Sequence, residues 1–179
     1  AVTGINHADG LADLGDAAVV HGDAERRREV MRDTTVGVGA VVAVTVGLVG
    51  LALGALGLTT LPVRAAVGVA IASEVGAKLG IVTLAATGKP SHEGLGAQLL
   101  TASAGQVGLA VALAAPAAVL TWPVPAALGA IVAGPVVALA LRGWAHATLD
   151  GVGGDVFGAT NELARVAGLH AGVVVWTLC

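Results

Sequence analysis

The sequence predicts an all-α, polytopic membrane bundle of four to five transmembrane helices forming a single domain, residues 1–179. Two observations carry that reading. Only 12% of the 179 residues are charged and 56% are hydrophobic, with a mean hydropathy of +0.88, whereas a soluble domain has about a quarter of its residues charged. The hydrophobic residues are also gathered into uncharged runs, and about 20 apolar residues suffice to cross a bilayer. A compact soluble core of Ala, Gly and Val does not account for runs of that length. The formal net charge is −3 and the basic residues cluster at 26–32, so no stripe for nucleic acid is expected. The lone Cys179 excludes an internal disulfide and a Cys-based zinc site. No basic stretch followed by an apolar one opens the chain, so no signal peptide is expected. The apolar run 172–179 stops abruptly, as though both ends were shortened.

Residues 1–35 read as a cytoplasmic or interfacial segment and 36–179 as the bundle with its cytoplasmic loops. The opening stretch carries Asp9, Asp13 and Asp16 and extends as a helix through Val20. Gly22 stops it, and Asp23 is placed to cap the next helix. That helix, 24–33, is short and charged, with Arg28 and Arg32 four apart on one face. Its arginines suit lipid headgroups or an anion clamp for phosphate, and one helix can serve both.

Residues 36–58 form the first clear span. Pro62 turns the chain into a second, 65–87, which contains Glu74 and Lys78 at i, i+4. Charges inside a span must be paired or face a polar cavity; these two read either as a mutual structural pair or as a pair facing substrate. After the polar loop 88–96, a third span is expected at 97–120. Trp122 and Pro123 make an interfacial turn, and a fourth span, 126–141, contains Pro135. The acidic, glycine-rich loop 150–155 opens a helix at 156–169. The final run, 171–179, is too short to span alone and could join that helix as a fifth span. Gly47, Gly50, Gly54 and Gly57 lie at spacings that allow close helix packing.

Arg26, Arg27, Arg28 and Arg32 place the start of the first span in the cytoplasm by the positive-inside rule. Counting through the spans returns the loops at Lys89 and 142–155 to that side. The segments 9–16, 26–32, 89–96 and 153–162 therefore converge on one face.

In a helix, Asp9, Asp13 and Asp16 lie within about 60° of one another around the axis. Three like charges on one face repel, and a divalent cation would relieve them. The rise from Asp9 to Asp16 is roughly 10 Å, too far for all three to hold one ion. Asp9 with Asp13, or Asp13 with Asp16, could each take a metal, and Asp155 could join from the other loop. Mg²⁺ suits such a set, because it binds through one or two carboxylates plus substrate phosphates. With a basic clamp nearby, the chemistry is stabilisation of charge on a transferring phosphorus. The plainer alternative makes Asp9 a helix cap and the others hydrated side chains. No Ser/His/Asp order is apparent, and the five histidines show no metal-ligand spacing.

These segments resemble the cobalamin synthase family, the adenosylcobinamide-GDP ribazoletransferases. Residues 9–16 (DGLADLGD) look like that family's DGLAD-x-x-D stretch, and 26–33 like the segment that follows it. Glu93-Gly94-Leu95-Gly96 resembles its central E-G-L-G loop, and Gly154-Asp155-Val156-Phe157-Gly158-Ala159-Thr160-Asn161-Glu162-Leu163 its C-terminal segment. The resemblance implies an Mg²⁺-dependent enzyme of the cell membrane, multi-pass, with a cytoplasmic active face; the family's N-terminal membrane segment has no match in this sequence. Its substrates would be adenosylcobinamide-GDP and α-ribazole or its 5′-phosphate, with the lipid bilayer as surroundings, no nucleic acid, and a homo-oligomer left open. By matching position, Asp9, Asp13 and Asp16 are catalytic and metal-binding carboxylates and Asp155 a further metal ligand. Arg28, Arg32, Lys89, Glu93, Gly94, Gly154 and Glu162 are the expected substrate contacts. Thr35, Glu74 and Ser91 stand where the family commonly has Arg, and Val38 where it often has Thr; Lys78 and Lys89 are close enough in sequence to substitute.

Two other classes stand beside this one. A CDP-alcohol phosphotransferase acting on lipid also uses clustered Asp and Mg²⁺, but Asp13 occupies the position where its motif has Arg. A small transporter would use Glu74 and Lys78 to line a path.

Overall fold

The computed structural model describes residues 2–91 and 95–179. Among them run α1 (Val2–Val19), α2 (Ala24–Arg32), α3 (Val38–Leu58), α4 (Val63–Thr87), α5 (Leu95–Leu99), α6 (Ala104–Ala114), α7 (Ala126–Thr148) and α8 (Gly154–Leu178). A 3-10 turn, Ala115–Val119, extends α6. Among the described residues there is no strand, only an isolated bridge between Pro90 and Val152.

Local chemistry sets the boundaries. Gly22, at φ 149°, separates α1 from α2, and the Asp23 carboxylate accepts from the Arg26 N–H at 2.9 Å, the expected cap. The start of α3 has no cap from its own N-cap residue, Gly37. Asp16 supplies one from α1: its Oδ2 accepts from Gly37 N–H at 2.8 Å and its Oδ1 from Ala40 N–H at 2.9 Å. A carboxylate from another helix thus satisfies two of the four free donors that begin α3.

Three helices, α3, α4 and α7, are long and apolar enough to cross a membrane, and the helical membrane bundle stands. The third expected span is divided. Ser103 opens α6 with a capping box, its hydroxyl accepting from Gln106 N–H and its own N–H donating to Gln106 Oε1. Pro116 lies in the 3-10 turn that ends it. The apolar stretch Ala104–Val119 is therefore shorter than a full span. At the other end, the pieces expected at 156–169 and 171–179 do join, as one helix of 25 residues, α8. It is long enough to cross a bilayer but carries Asp155, Glu162 and Arg165.

α8 is the centre of the bundle. α1 and α3 pack on one side of it, α4 and α7 on the other, while α3 and α4 barely meet. The glycine stripe of α3 lies where its spacing predicts: Gly47 faces Leu11 of α1, and Gly50, Gly54 and Gly57 face Val166, Leu169 and Val173 of α8. The outer face of α3, with Val41, Val46, Leu48, Leu53 and Leu56 all more than half exposed, suits lipid.

Candidate active site

α1 runs antiparallel to α8, so the carboxylate row of α1 meets the first turn of α8. Contact between the two is backbone to backbone. A Cβ on Gly10 would lie 2.7 Å from the Asp155 carbonyl oxygen, and one on Gly96 would lie 2.6 Å from Gly154 N. Any side chain at either position would push α1 or α5 away from the N-terminus of α8. That end gathers free N–H groups and the positive pole of the helix.

Four carboxylates share the region. Asp13 is half-buried, and its pKa is raised from 3.8 to about 6, first by burial and then by the charges of Asp155, Asp9 and Asp16. Asp16 is buried and its two oxygens hold the start of α3, with lone pairs left over for a further contact. Asp9 is exposed, on an open groove of about 530 Å³ formed with Ala12, Val36, Ala40, Val44 and Thr45. Among the described residues no three His, Cys, Asp or Glu groups converge tightly enough to hold an ion alone. The donor set instead fits a divalent cation held by one or two carboxylates and completed by substrate oxygens, the habit of Mg²⁺. The mutual repulsion at Asp13 is what such an ion would relieve.

Beside the carboxylates lies a cavity of about 60 Å³ lined by Arg28, Met31, Arg32, Ser91, Leu149, Gly153 and Asp155. The convergence expected from charge counting is therefore present: α2, the loop after α4 and the loop before α8 meet at one place. Two loops are tied directly, Val152 N–H donating to Lys89 C=O at 2.8 Å. Arg28 is already engaged there, donating to Leu149 C=O at 2.7 Å and to Asp150 Oδ2 at 3.0 Å. Asp150 holds it from a backbone at φ 60°, a conformation uncommon outside glycine. Arg28 is the brace that fixes α2 to this loop.

The other expected contacts divide. Arg32 lines the cavity and Gly154 begins α8 at its edge. Lys89 is exposed, tied by its backbone N–H to His146 Nε2 at 3.3 Å. Glu93 and Gly94 lie outside the described residues. Glu162 sits deeper, buried, with His7 Nδ1 at 3.7 Å and Arg165 Nη1 at 3.2 Å.

One sequence reading is corrected. Glu74 and Lys78 are not each other's partners. Glu74 Oε1 lies 2.5 Å from Arg165 Nε, and Lys78 donates to Asn161 Oδ1. The packing of α8 against α4 explains this, because a guanidinium meets a carboxylate on two edges where an i, i+4 ammonium offers one point charge. Arg165 went unremarked in the sequence. Its signal was the spacing i, i+3 from Glu162 on the same helical face.

Comparison with known proteins bears on what this site serves. No solved structure matches. Among curated proteins, one from Halobacterium salinarum is 54% identical over 99% of this chain and 90% of its own length. One from Halorubrum lacusprofundi is 50% identical over 99% of this chain and 73% of its own. A third, from Haloquadratum walsbyi, is 46% identical over 99% and 72%. Each bears the name adenosylcobinamide-GDP ribazoletransferase. A family model described as cobalamin-5-phosphate synthase matches residues 1–173, and with all four matched segments inside that range the chain belongs to the cobalamin-5-phosphate synthase family.

Proposed function

We propose that this chain is a transferase that joins adenosylcobinamide-GDP to α-ribazole, or to its 5′-phosphate, and releases GMP. A hydroxyl of the ribazole attacks the phosphorus esterified to cobinamide. The phosphoanhydride bond breaks, GMP leaves with the bridging oxygen, and the hydroxyl proton passes to a carboxylate. The observation that carries the reading is the meeting of Asp155 with Arg28 and Arg32 around one cavity, with Asp13 close enough to feel the Asp155 charge.

Asp13 and Asp155 would hold a Mg²⁺ ion, which when bound supplies positive charge against the transferring phosphoryl group. Arg28 and Arg32 bind the diphosphate by charge-assisted hydrogen bonds; Arg28 is pre-positioned by Leu149 C=O and Asp150. Asp9, exposed on the open groove of α1 and α3, receives the acceptor hydroxyl and its proton. Asp16 keeps the carboxylate row in register with α3. The basic α2 favours a cytoplasmic position for this face, in a multi-pass protein of the cell membrane.

The test is direct. Membranes carrying the chain are incubated with adenosylcobinamide-GDP, α-ribazole and Mg²⁺, and cobalamin and GMP are measured. Their appearance in equal amounts supports the reading. No product, alongside turnover by the Halobacterium salinarum relative, removes it.

A further inference from the structure

The candidate site lies at one end of the bundle, where α3 and α8 begin and α4 and α7 finish. The opposite end holds a cavity of its own, of about 200 Å³, lined by Arg64 and Ala65 of α4, Leu120 and Trp122 of the turn before α7, and Trp176 of α8. Packing fixes its walls. Ala65 belongs to a buried cluster against which Leu120 and Trp176 pack. A Cβ on Gly68 would lie 2.9 Å from Thr121 Cγ2, so the turn sits directly on α4. The Thr121 hydroxyl holds that turn together, donating to Val124 C=O at 2.7 Å and accepting from Ala127 N–H at 2.9 Å.

Helix length sets the depth of this cavity. Arg64 lies roughly 35 Å along α4 from Thr87, against about 30 Å of hydrocarbon in a bilayer. With Thr87 at the candidate-site face, Arg64 stands at headgroup level on the other. Trp122, which is 75% exposed, and Trp176 are of the residue type that settles at that depth.

Charge singles out Arg64. Arg26, Arg27, Arg28, Arg32, Lys89 and Arg142 gather at the candidate-site end, and Lys78 and Arg165 lie within the bundle. Arg64 alone stands against that bias. Among the described residues no ion pair involves it, and residues 58–66, 117–128 and 172–179 contain no Asp or Glu. A guanidinium offers five N–H donors and each indole one more, with no carboxylate at this end to accept them. The complement is an anion with several acceptor oxygens, joined to an apolar tail that can lie along Ala65 and Leu120. The phosphodiester of a lipid meets both demands. A zwitterionic headgroup would bring an ammonium for which this end has no carboxylate.

We infer that this cavity binds one anionic phospholipid from the leaflet facing away from the candidate active site, with Arg64 on its phosphate and its chains along the apolar wall.

The test uses the chain in phosphatidylcholine nanodiscs, titrated with phosphatidylglycerol whose brominated chains quench tryptophan on contact. Of the three tryptophans, Trp122 and Trp176 line the cavity, while Trp144 lies toward the other end of the bundle and reports bulk lipid. Quenching by phosphatidylglycerol saturates at a mole fraction about tenfold below that needed with brominated phosphatidylcholine, the scale of one charge-assisted hydrogen bond. Arg64 is exposed, so its replacement leaves the core intact. Arg64→Gln removes the headgroup preference and Arg64→Lys keeps part of it. Replacing Trp122 and Trp176 together by Phe leaves only the unsaturated quenching of Trp144. A preference that is the same in wild type and Arg64→Gln, or one that favours phosphatidylcholine, overturns the inference. Relief of the quenching by inorganic phosphate at constant ionic strength also overturns it, because the cavity then takes the free anion.

Discussion

α3 and α8 are both helices of more than 20 residues, and they run side by side in the same direction, yet they divide the work of the molecule. α3 (Val38–Leu58) has no charged residue and turns most of its apolar surface outward. α8 (Gly154–Leu178) is buried along much of its length and carries Asp155, Asn161, Glu162 and Arg165 inward. The glycines of α3 serve approach, letting α1 and α8 come close; the polar residues of α8 serve pairing between helices. Where two helices have the same length, the position of the charge separates the scaffold from the site.

Substitutions can break or sharpen that contrast. The largest effect is expected where α1 meets α8. Asp13→Asn lowers kcat by about 10³-fold, the scale for losing one electrostatic contact to a transition state, while thermal unfolding in detergent stays cooperative. Next comes the interior of α8. Arg165→Met leaves Glu162 and Glu74 without their shared partner and destabilises by about 3 kcal/mol, read as a lowered midpoint; Lys at the same position recovers part of it. Asp16→Ala acts on α3 from outside, removing the acceptor for Gly37 and Ala40, and costs about 1–2 kcal/mol. If Asp16→Ala unfolds at the wild-type midpoint, α3 does not depend on that cap.

A weaker effect is expected from pH in the absence of divalent cations. The folded pKa of Asp13 is raised above its ordinary 3.8 to about 6, so the fold disfavours its ionised form. Its contribution to stability is full below about pH 4 and is lost as pH rises through 6. Asp13→Asn removes that slope, and added Mg²⁺ flattens it in the wild type; a slope of opposite sign contradicts the assignment. Smallest of all, Val46→Ala on the outer face of α3, 63% exposed, shifts the midpoint by no more than about 0.5 kcal/mol.

What could be read from the residue string followed from local rules. Counting charges through the spans predicted that 9–16, 26–32, 89–96 and 153–162 would converge; Gly10 against Asp155 brings the first to the last, and the Arg28–Leu149 and Lys89–Val152 contacts bring 26–32 and Lys89 to the loop before α8. Asp23 announced its cap because N-capping needs only three residues of context. Asp16 did not announce its own, since capping α3 depends on how α1 packs against a helix start 21 positions further along the chain. Glu74 pairs with a residue 91 positions away, a partner that helical spacing, which reaches only the neighbour four positions on, does not reveal. The third span was overestimated because Ser103 and Gln106 lie in a hydrophobic stretch, where a capping box is easily read as two tolerated polar residues.

The cap that Asp16 places on α3 has a consequence for where chemistry can happen. A carboxylate of the α1 row also caps the first turn of a helix long enough to cross the membrane, so the row cannot drift toward water or sink among lipid tails independently of that helix. If a bilayer of different thickness tilts α3, the row tilts with it. The site's depth is thus set by a helix anchor and not by the mobility of a loop.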